Sequence, residues 1–539
     1  MLAKAAGFLA NELTTIRVLT SAGVIHPYPP RVLIGIARTL RKWGRGPAGG
    51  FTTVALRIPH QIGVIDELGS LTFLEMHERS NALAHSLREQ GLREGDSVAV
   101  LCRNHRGFIE SSIALSKLGV DVLFLNTAFA APQLGEVCAR EKPAAIVYDE
   151  EFTGLIDKSG TDARRILAWQ DSDSLDLPTL EQLIASGDTM DLQPPDHTSR
   201  SVILTSGTTG TPKGAARSEG SIDAGVALLS RLPLKRGWRT HIAAPLFHTW
   251  GWAHVNLAML MGSTIVLHRR FEPEECLRAV TENDCDSLVV IPVMLQRILQ
   301  LPEDTLSSYD LSRVKVVAAS GSALPGDLGT NWMNQFGDTL FNIYGSTEVA
   351  WATIATPADL RAAPGTAGKP PHATIVKLYD DQGAEVVAGE SGRIFVGNSM
   401  LFEGYTGGGS KAMIDELMAT GDVGRFNDDG RLFVEGRDDE MIVSGGENVF
   451  PQEVENCLSR HDLVVEAAAI GVDDDDFGKR LRAFVVLTPS AVVDEDELKD
   501  YVKANLARYK VPRDIVFLDE LPRNATGKVL KRELDRESS

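Results

Sequence analysis

At 539 residues the chain is about three and a half times a typical ~150-residue domain, so more than one hydrophobic core is expected. With 43% apolar and 24% charged residues it has the composition of a globular protein, and a net charge of −19 argues against general nucleic-acid binding, which needs a basic surface. No run of ~18 apolar residues is present to span a bilayer, and Glu12 and Arg17 interrupt the start where an export signal must be apolar. Five scattered cysteines (Cys102, Cys138, Cys276, Cys285, Cys457) without a CxxC pair read as buried, reduced thiols, which suits a cytoplasmic location.

Residues 1–50 hold seven bases against Glu12, a net of +6, so the remainder carries −25. Within them Leu33, Ile36, Leu40 and Trp43 follow helical spacing, while Arg31, Arg38, Arg41, Lys42 and Arg45 crowd nearby. Two readings stand: a basic amphipathic helix making peripheral contact with an anionic membrane, or a helix packed on the protein's own acidic body. From about residue 70 the pattern alternates: a helix over 71–91, a strand in DSVAVLC, a helix over 107–119, a strand in VDVLFLN, a helix around Gln133–Arg140, then the strand AAIVYD. The same rhythm returns in STIVLHR, a helix from Pro273, SLVVIP and VKVVAASG. Apolar strands separated by helices predict parallel sheets covered on both faces, here two stacked α/β sheets in one large domain.

After about Thr374 short alternating strands (TIVKLYDDQGAEVV, SGRIFVGN, GRLFVEGR) predict an antiparallel, barrel-like piece. Beyond Arg437 a helix at Gln452–Ser459, strands EAAAIGV and RAFVVLT, a helix over 494–507 and the strand DIVFLD make a compact α+β unit. Asp473–Asp476 reads as a solvated loop.

The strongest local signal is TSGTTGTPKG, Thr205 to Gly214, straight after the apolar strand SVIL. Its glycines free backbone N–H groups, its hydroxyls add donors and Lys213 adds charge, a combination suited to a polyphosphate. It is not a Walker A loop, because Pro212 and Gly214 stand where that motif needs Gly and Ser or Thr. Four further clusters are weak alone: Asn342 to Glu348 (NIYGSTE), Thr420-Gly421-Asp422, Gly436 to Asn448, and Pro522 to Lys528 (PRNATGK). Tyr344 could stack on a base, Thr347 donate to a phosphate, Glu348 face a metal, and Asp422 bind a ribose diol.

In this order and spacing the five clusters resemble the adenylate-forming superfamily of acyl-CoA synthetases, luciferases and peptide-synthetase adenylation domains, over about residues 55–535. PLFH (Pro245–His248) and the SGGEN segment look most like fatty acyl-CoA synthetases. The resemblance implies ATP and magnesium, a fatty or other carboxylic acid, and coenzyme A. The acid attacks the α-phosphate to give acyl-AMP and pyrophosphate, then the CoA thiol displaces AMP. Handing the acyl group to a carrier protein, or acting on aryl or branched acids, are the alternatives; a non-catalytic lipid-binding relative conflicts with the intact motifs.

Carried over by resemblance, Thr205, Ser206, Gly207, Thr208, Thr209, Gly210 and Lys213 hold the β- and γ-phosphates. Tyr344 stacks on adenine beside Gly345 and the Gly321-Ser322-Ala323 segment; Thr347 touches the α-phosphate; Glu348 coordinates magnesium; Asp422 and Arg437 bind the ribose. Lys528 reaches the α-phosphate and carboxylate. His248 sits where the acyl and pantetheine tunnels meet, Trp250 and Trp252 line the acyl side or serve as core, and Ser444, Gly445 and Gly446 flank pantetheine. The implied division is an extension over 1–50, a large domain over 51–438 and a small mobile domain over 439–539 hinged at Asp439, with Glu440 where the family's usual pattern has Asp.

Overall fold

The computed structural model describes every residue except 1, 173–175, 206–212, 218–221, 407, 441, 445–446, 475–477, 490, 507, 525–526 and 537–539. Three helices open the chain: α1 (Leu2–Ala22), α2 (Pro30–Trp43) and α3 (Pro47–Arg57). The spacing of Leu33, Ile36, Leu40 and Trp43 predicts the second of these, whereas α1 carried no legible apolar stripe. Next comes α4 (Phe73–Glu89), started by Thr72, whose hydroxyl accepts from the Glu75 N–H while the Glu75 carboxylate accepts from the Thr72 N–H. After the strand Ser97–Leu101, α5 (Arg106–Lys117) follows.

Two α/β sheets form the large domain. One has six strands in the order Arg164–Trp169, Ala145–Asp149, Ser97–Leu101, Asp121–Phe124, Ser201–Thr205, Lys213–Arg217, parallel but for the last. The other has eight, running Thr353–Ala355, Leu340–Tyr344, Val316–Ala319, Ser287–Val290, Arg239–Ile242, Thr264–Val266, Ile62–Asp66, Gly69–Thr72, with six parallel strands between antiparallel ends. One apolar core joins them through α3, α4 and α5, so α5 is buried along its whole length. Two of its charged residues are paired: Arg106 forks onto Asp66, and Glu110 meets Arg79 at 2.5 Å.

The barrel-like piece is an antiparallel sheet of Ile375–Tyr379, Gly392–Gly397, Leu417–Phe426, Met413–Ile414 and Leu432–Arg437. The expected strand over 374–387 stops at Tyr379, because Asp380 turns the chain with its carboxylate on the Gln382 and Ala384 N–H groups. The C-terminal unit is a five-stranded sheet in which Val464–Asp474 and Gly478–Leu487 form a long hairpin, packed by Pro451–Leu458 and Glu495–Asn505. All five cysteines are buried. Among the described residues no helix is long and apolar enough to cross a membrane.

Candidate active site

Parallel strands put their carboxyl ends on one edge, and open α/β sheets bind ligands there. Val316–Ala319 pairs in parallel with Leu340–Tyr344 in the register Val317 to Leu340 and Ala319 to Asn342. The segments that follow, Gly321-Ser322-Ala323 and Gly345 to Glu348, therefore emerge side by side. Gly345 must lack a side chain, since a Cβ would lie 2.3 Å from the Ala350 carbonyl oxygen.

The antiparallel sheet brings the third and fourth clusters against them. Asp422 and Arg437 are cross-strand partners, and the guanidinium reaches the carboxylate at 3.2 Å. Tyr344 donates its hydroxyl to Asp422 Oδ2 at 2.5 Å. Burial pushes the Asp422 carboxyl up, opposed by the Tyr344 hydroxyl, Arg437 and the charge of Lys528, and burial beside Asp422 raises the Tyr344 phenol further. Lys528 thus lies within electrostatic reach of Asp422. Its loop is seated by Gly527, where a Cβ would meet Val293 Cγ1 at 2.4 Å.

A single cavity of about 2370 Å³ is lined by Ser322, Tyr344, Glu348, Asp422, Arg437 and Lys528, and also by His248 and Trp250. Thr347 lines it as well. Glu348 is held at Oε1 by the Tyr405 hydroxyl at 2.7 Å, a hard oxygen donor of the kind magnesium takes. Tyr405 was not singled out in the sequence; nothing in its spacing ties it to Glu348, which lies 57 residues away. Asn104 was missed too. Its side chain accepts from the Leu246 N–H at 2.9 Å and donates to the Ala244 carbonyl at 2.9 Å, fixing the turn that delivers His248.

Among the described residues His248 Nε2 is shielded and meets no hydrogen-bond partner, and burial holds the imidazole down to about 3, so the ring is neutral. Trp250 is pinned by its indole N–H on the Val290 carbonyl at 3.0 Å. Trp252, 6% exposed, lines the cavity beside Trp250 and also packs edge-on to Phe108 and Phe124. The backbones of Thr205 and Lys213 face one another across an antiparallel pair. Ser206, Gly207, Thr208, Thr209 and Gly210, and likewise Gly445 and Gly446, lie outside the described residues. Ser444 ends a short strand paired with Glu447–Val449, and Asp439 lies in a single helical turn, Asp438–Glu440.

A second cluster, Cys102, His105 and Asp149, is buried away from this cavity. His105 Nδ1 accepts from the Gly107 N–H, capping α5, and Nε2 pairs with Asp149 at 2.8 Å, so both ring nitrogens are engaged.

The family of AMP-binding enzymes matches residues 51–406, and its C-terminal domain matches 453–528. The chain belongs to the AMP-binding enzyme family. It is similar to a feruloyl-CoA synthase of Amycolatopsis (32% identical, covering 89% of this chain and 96% of that protein) and to an indoleacetate–CoA ligase of Aromatoleum aromaticum (31%, 86% and 92%). The anthranilate CoA ligase AuaEII, solved in complex with anthranoyl-AMP, superposes with a TM-score of 0.82 at 25% identity, covering 92% of this chain and 97% of that one. As a family member the protein is an AMP-forming acid–thiol ligase that uses ATP and coenzyme A. The match begins at residue 51, so α1 and α2 stand outside it.

Proposed function

We propose that this enzyme activates an aromatic carboxylic acid as its acyl-AMP and transfers the acyl group to coenzyme A. The sequence favours fatty acids; the similarity to feruloyl-CoA synthase, indoleacetate–CoA ligase and an anthranoyl-AMP complex supports the aryl alternative instead. The observation that carries the reading is the continuity of one cavity from Tyr344, Asp422 and Lys528 to the neutral His248 and the fixed Trp250 indole. A flat, uncharged wall beside the adenylate cleft suits a ring.

In the first step a carboxylate oxygen of the acid bonds to the α-phosphorus and pyrophosphate leaves. The ammonium of Lys528 offsets the charge gathering on the phosphoryl oxygens, and Arg437 and Asp422 hold the ribose. Glu348 would hold magnesium, which when bound neutralises phosphate charge. In the second step the CoA thiolate bonds to the acyl carbon and AMP leaves. Between the steps residues 439–539 turn about Asp439, taking Lys528 away and bringing the Ser444 segment in.

The test is CoA-dependent AMP release over a panel of aromatic and unbranched aliphatic acids. Higher kcat/KM for aromatic acids is expected. Preference for aliphatic acids without a ring refutes the aryl reading, and thioester formation only on a carrier protein refutes the acceptor.

A further inference from the structure

The helix α2 presents Leu33, Ile36 and Leu40 on one face and basic residues on the other, yet none of its residues is buried. Leu33 is 49% and Leu40 37% exposed. A helix this amphipathic needs a cover for its apolar face, and all three side chains line the same cavity as Tyr344 and Lys528. The helix Thr249–Met261 lines the same cavity, with Trp250, Ala253, Leu257 and Leu260 following one another along it. The eleven steps from Thr249 to Leu260 advance about 17 Å along a helix axis, several times the reach of one aromatic ring.

The N-terminal segment is fastened to this helix through Arg57 and to the loop before the strand Arg239–Ile242 through Arg236 and Lys235. Arg57 donates to the Met259 carbonyl at 2.8 Å, the Arg236 N–H to the Ala22 carbonyl at 2.8 Å, and Lys235 to the Ser21 carbonyl at 2.7 Å. The Arg236 guanidinium also stacks over the Tyr28 ring, 5.2 Å away. Gly35 lets α2 close on α3, since a Cβ there would meet Leu56 Cδ2 at 2.6 Å.

Building on the proposed acid activation, we infer that α2 and the loop before it form the far wall of the acid-binding cavity, and that the substrate is an elongated carboxylic acid whose apolar body runs from the adenylate site to Leu33, Ile36 and Leu40. The occupant of the apolar face is the distal part of the acid, because the face is continuous with the reaction cavity.

The experiment measures CoA-dependent AMP release by the full-length enzyme on ω-phenylalkanoic acids of one to ten methylenes, with unbranched alkanoic acids of matched length alongside. Wild type is expected to turn over the long members. Ile36→Trp and Leu40→Trp, which fill the distal end, should each lower the ratio of kcat/KM for the longest to that for the shortest acid on the order of tenfold. Ile34→Trp, on the exposed face away from the cavity, should leave the ratio as in wild type. No turnover of long acids by wild type, or an unchanged ratio in both cavity variants, overturns the inference. Co-sedimentation with anionic vesicles that Leu40→Glu abolishes, with the ratio unchanged in the Trp variants, assigns the face to a membrane and also overturns it. If alkanoic acids outperform phenylalkanoic acids while the Trp variants still clip the long members, the aryl reading fails and this inference stands.

Discussion

Gln296 Nε2 donates to the main-chain carbonyl of Val465 across 2.9 Å, tying the helix Pro292–Leu299 of the large domain to the long hairpin of the C-terminal unit. Val293, one turn earlier on the same helix, receives the Gly527 backbone. One helix therefore holds the C-terminal unit with Lys528 in the cavity it shares with Tyr344 and Asp422, the placement that the proposed mechanism assigns to the first half-reaction.

Removing that tie should weaken the placement without touching the chemistry. Gln296→Ala is expected to slow acid-dependent pyrophosphate exchange by about two- to tenfold, the worth of one hydrogen bond of ~0.5–1.5 kcal/mol. Thioester formation from supplied acyl-AMP should be spared. Equal losses in both assays would count against the docking role.

Lys528→Ala should cost ~10²–10³ in the rate of adenylation, as loss of a preorganised charge on a developing anion does elsewhere. Thiolysis of supplied acyl-AMP should persist. Pyrophosphate exchange surviving at wild-type rate would show that another group carries the charge.

Asp439→Pro fixes φ near −65° at the proposed pivot. One half-reaction should fail while the other continues, read by the same two assays. Parallel loss in both, or none in either, would move the hinge elsewhere.

Asp422→Asn leaves Arg437 without its carboxylate at 3.2 Å and alters the acceptor of the Tyr344 hydroxyl. A charged hydrogen bond of ~1.5–3 kcal/mol corresponds to a rise in KM for ATP of roughly ten- to a hundredfold. The KM for the acid should change little. The reverse pattern would place Asp422 on the acid side.

Lys117 bears on stability rather than turnover. Burial in α5 pulls its pKa down to about 7, although its ammonium donates to Ser80 Oγ at 2.8 Å and Asn81 Oδ1 at 2.5 Å. Its folded pKa lies below its unfolded value near ~10.4, so the unfolded chain binds more protons between these limits. Its contribution to stability is accordingly most unfavourable below pH 7 and improves as pH rises through that window. Chemical denaturation of wild type and Lys117→Met should show the difference shifting toward wild type by up to about 1.4 kcal/mol per pH unit between ~7 and ~10. A difference that does not vary with pH would mean that hydrogen bonds keep Lys117 charged throughout.

The order of elements and the family were legible in the residues themselves. Continuous apolar strands such as SVAVL and SLVV can be satisfied only between two layers of helices, and the motif glycines and charges mark their loops directly. What the sequence could not settle was proximity. Tyr344 and Asp422 lie 78 positions apart, and they meet because a parallel strand of one sheet ends beside an antiparallel strand of another. Tyr405 on Glu348 and Asn104 under the His248 turn are contacts of the same kind, invisible to spacing because no periodicity connects the two segments. The apolar face of α2 was plain in its 3–4 repeat, but periodicity states only that a face needs covering. Which surface covers it depends on where the chain places that face, and here the fold turns it toward the reaction cavity.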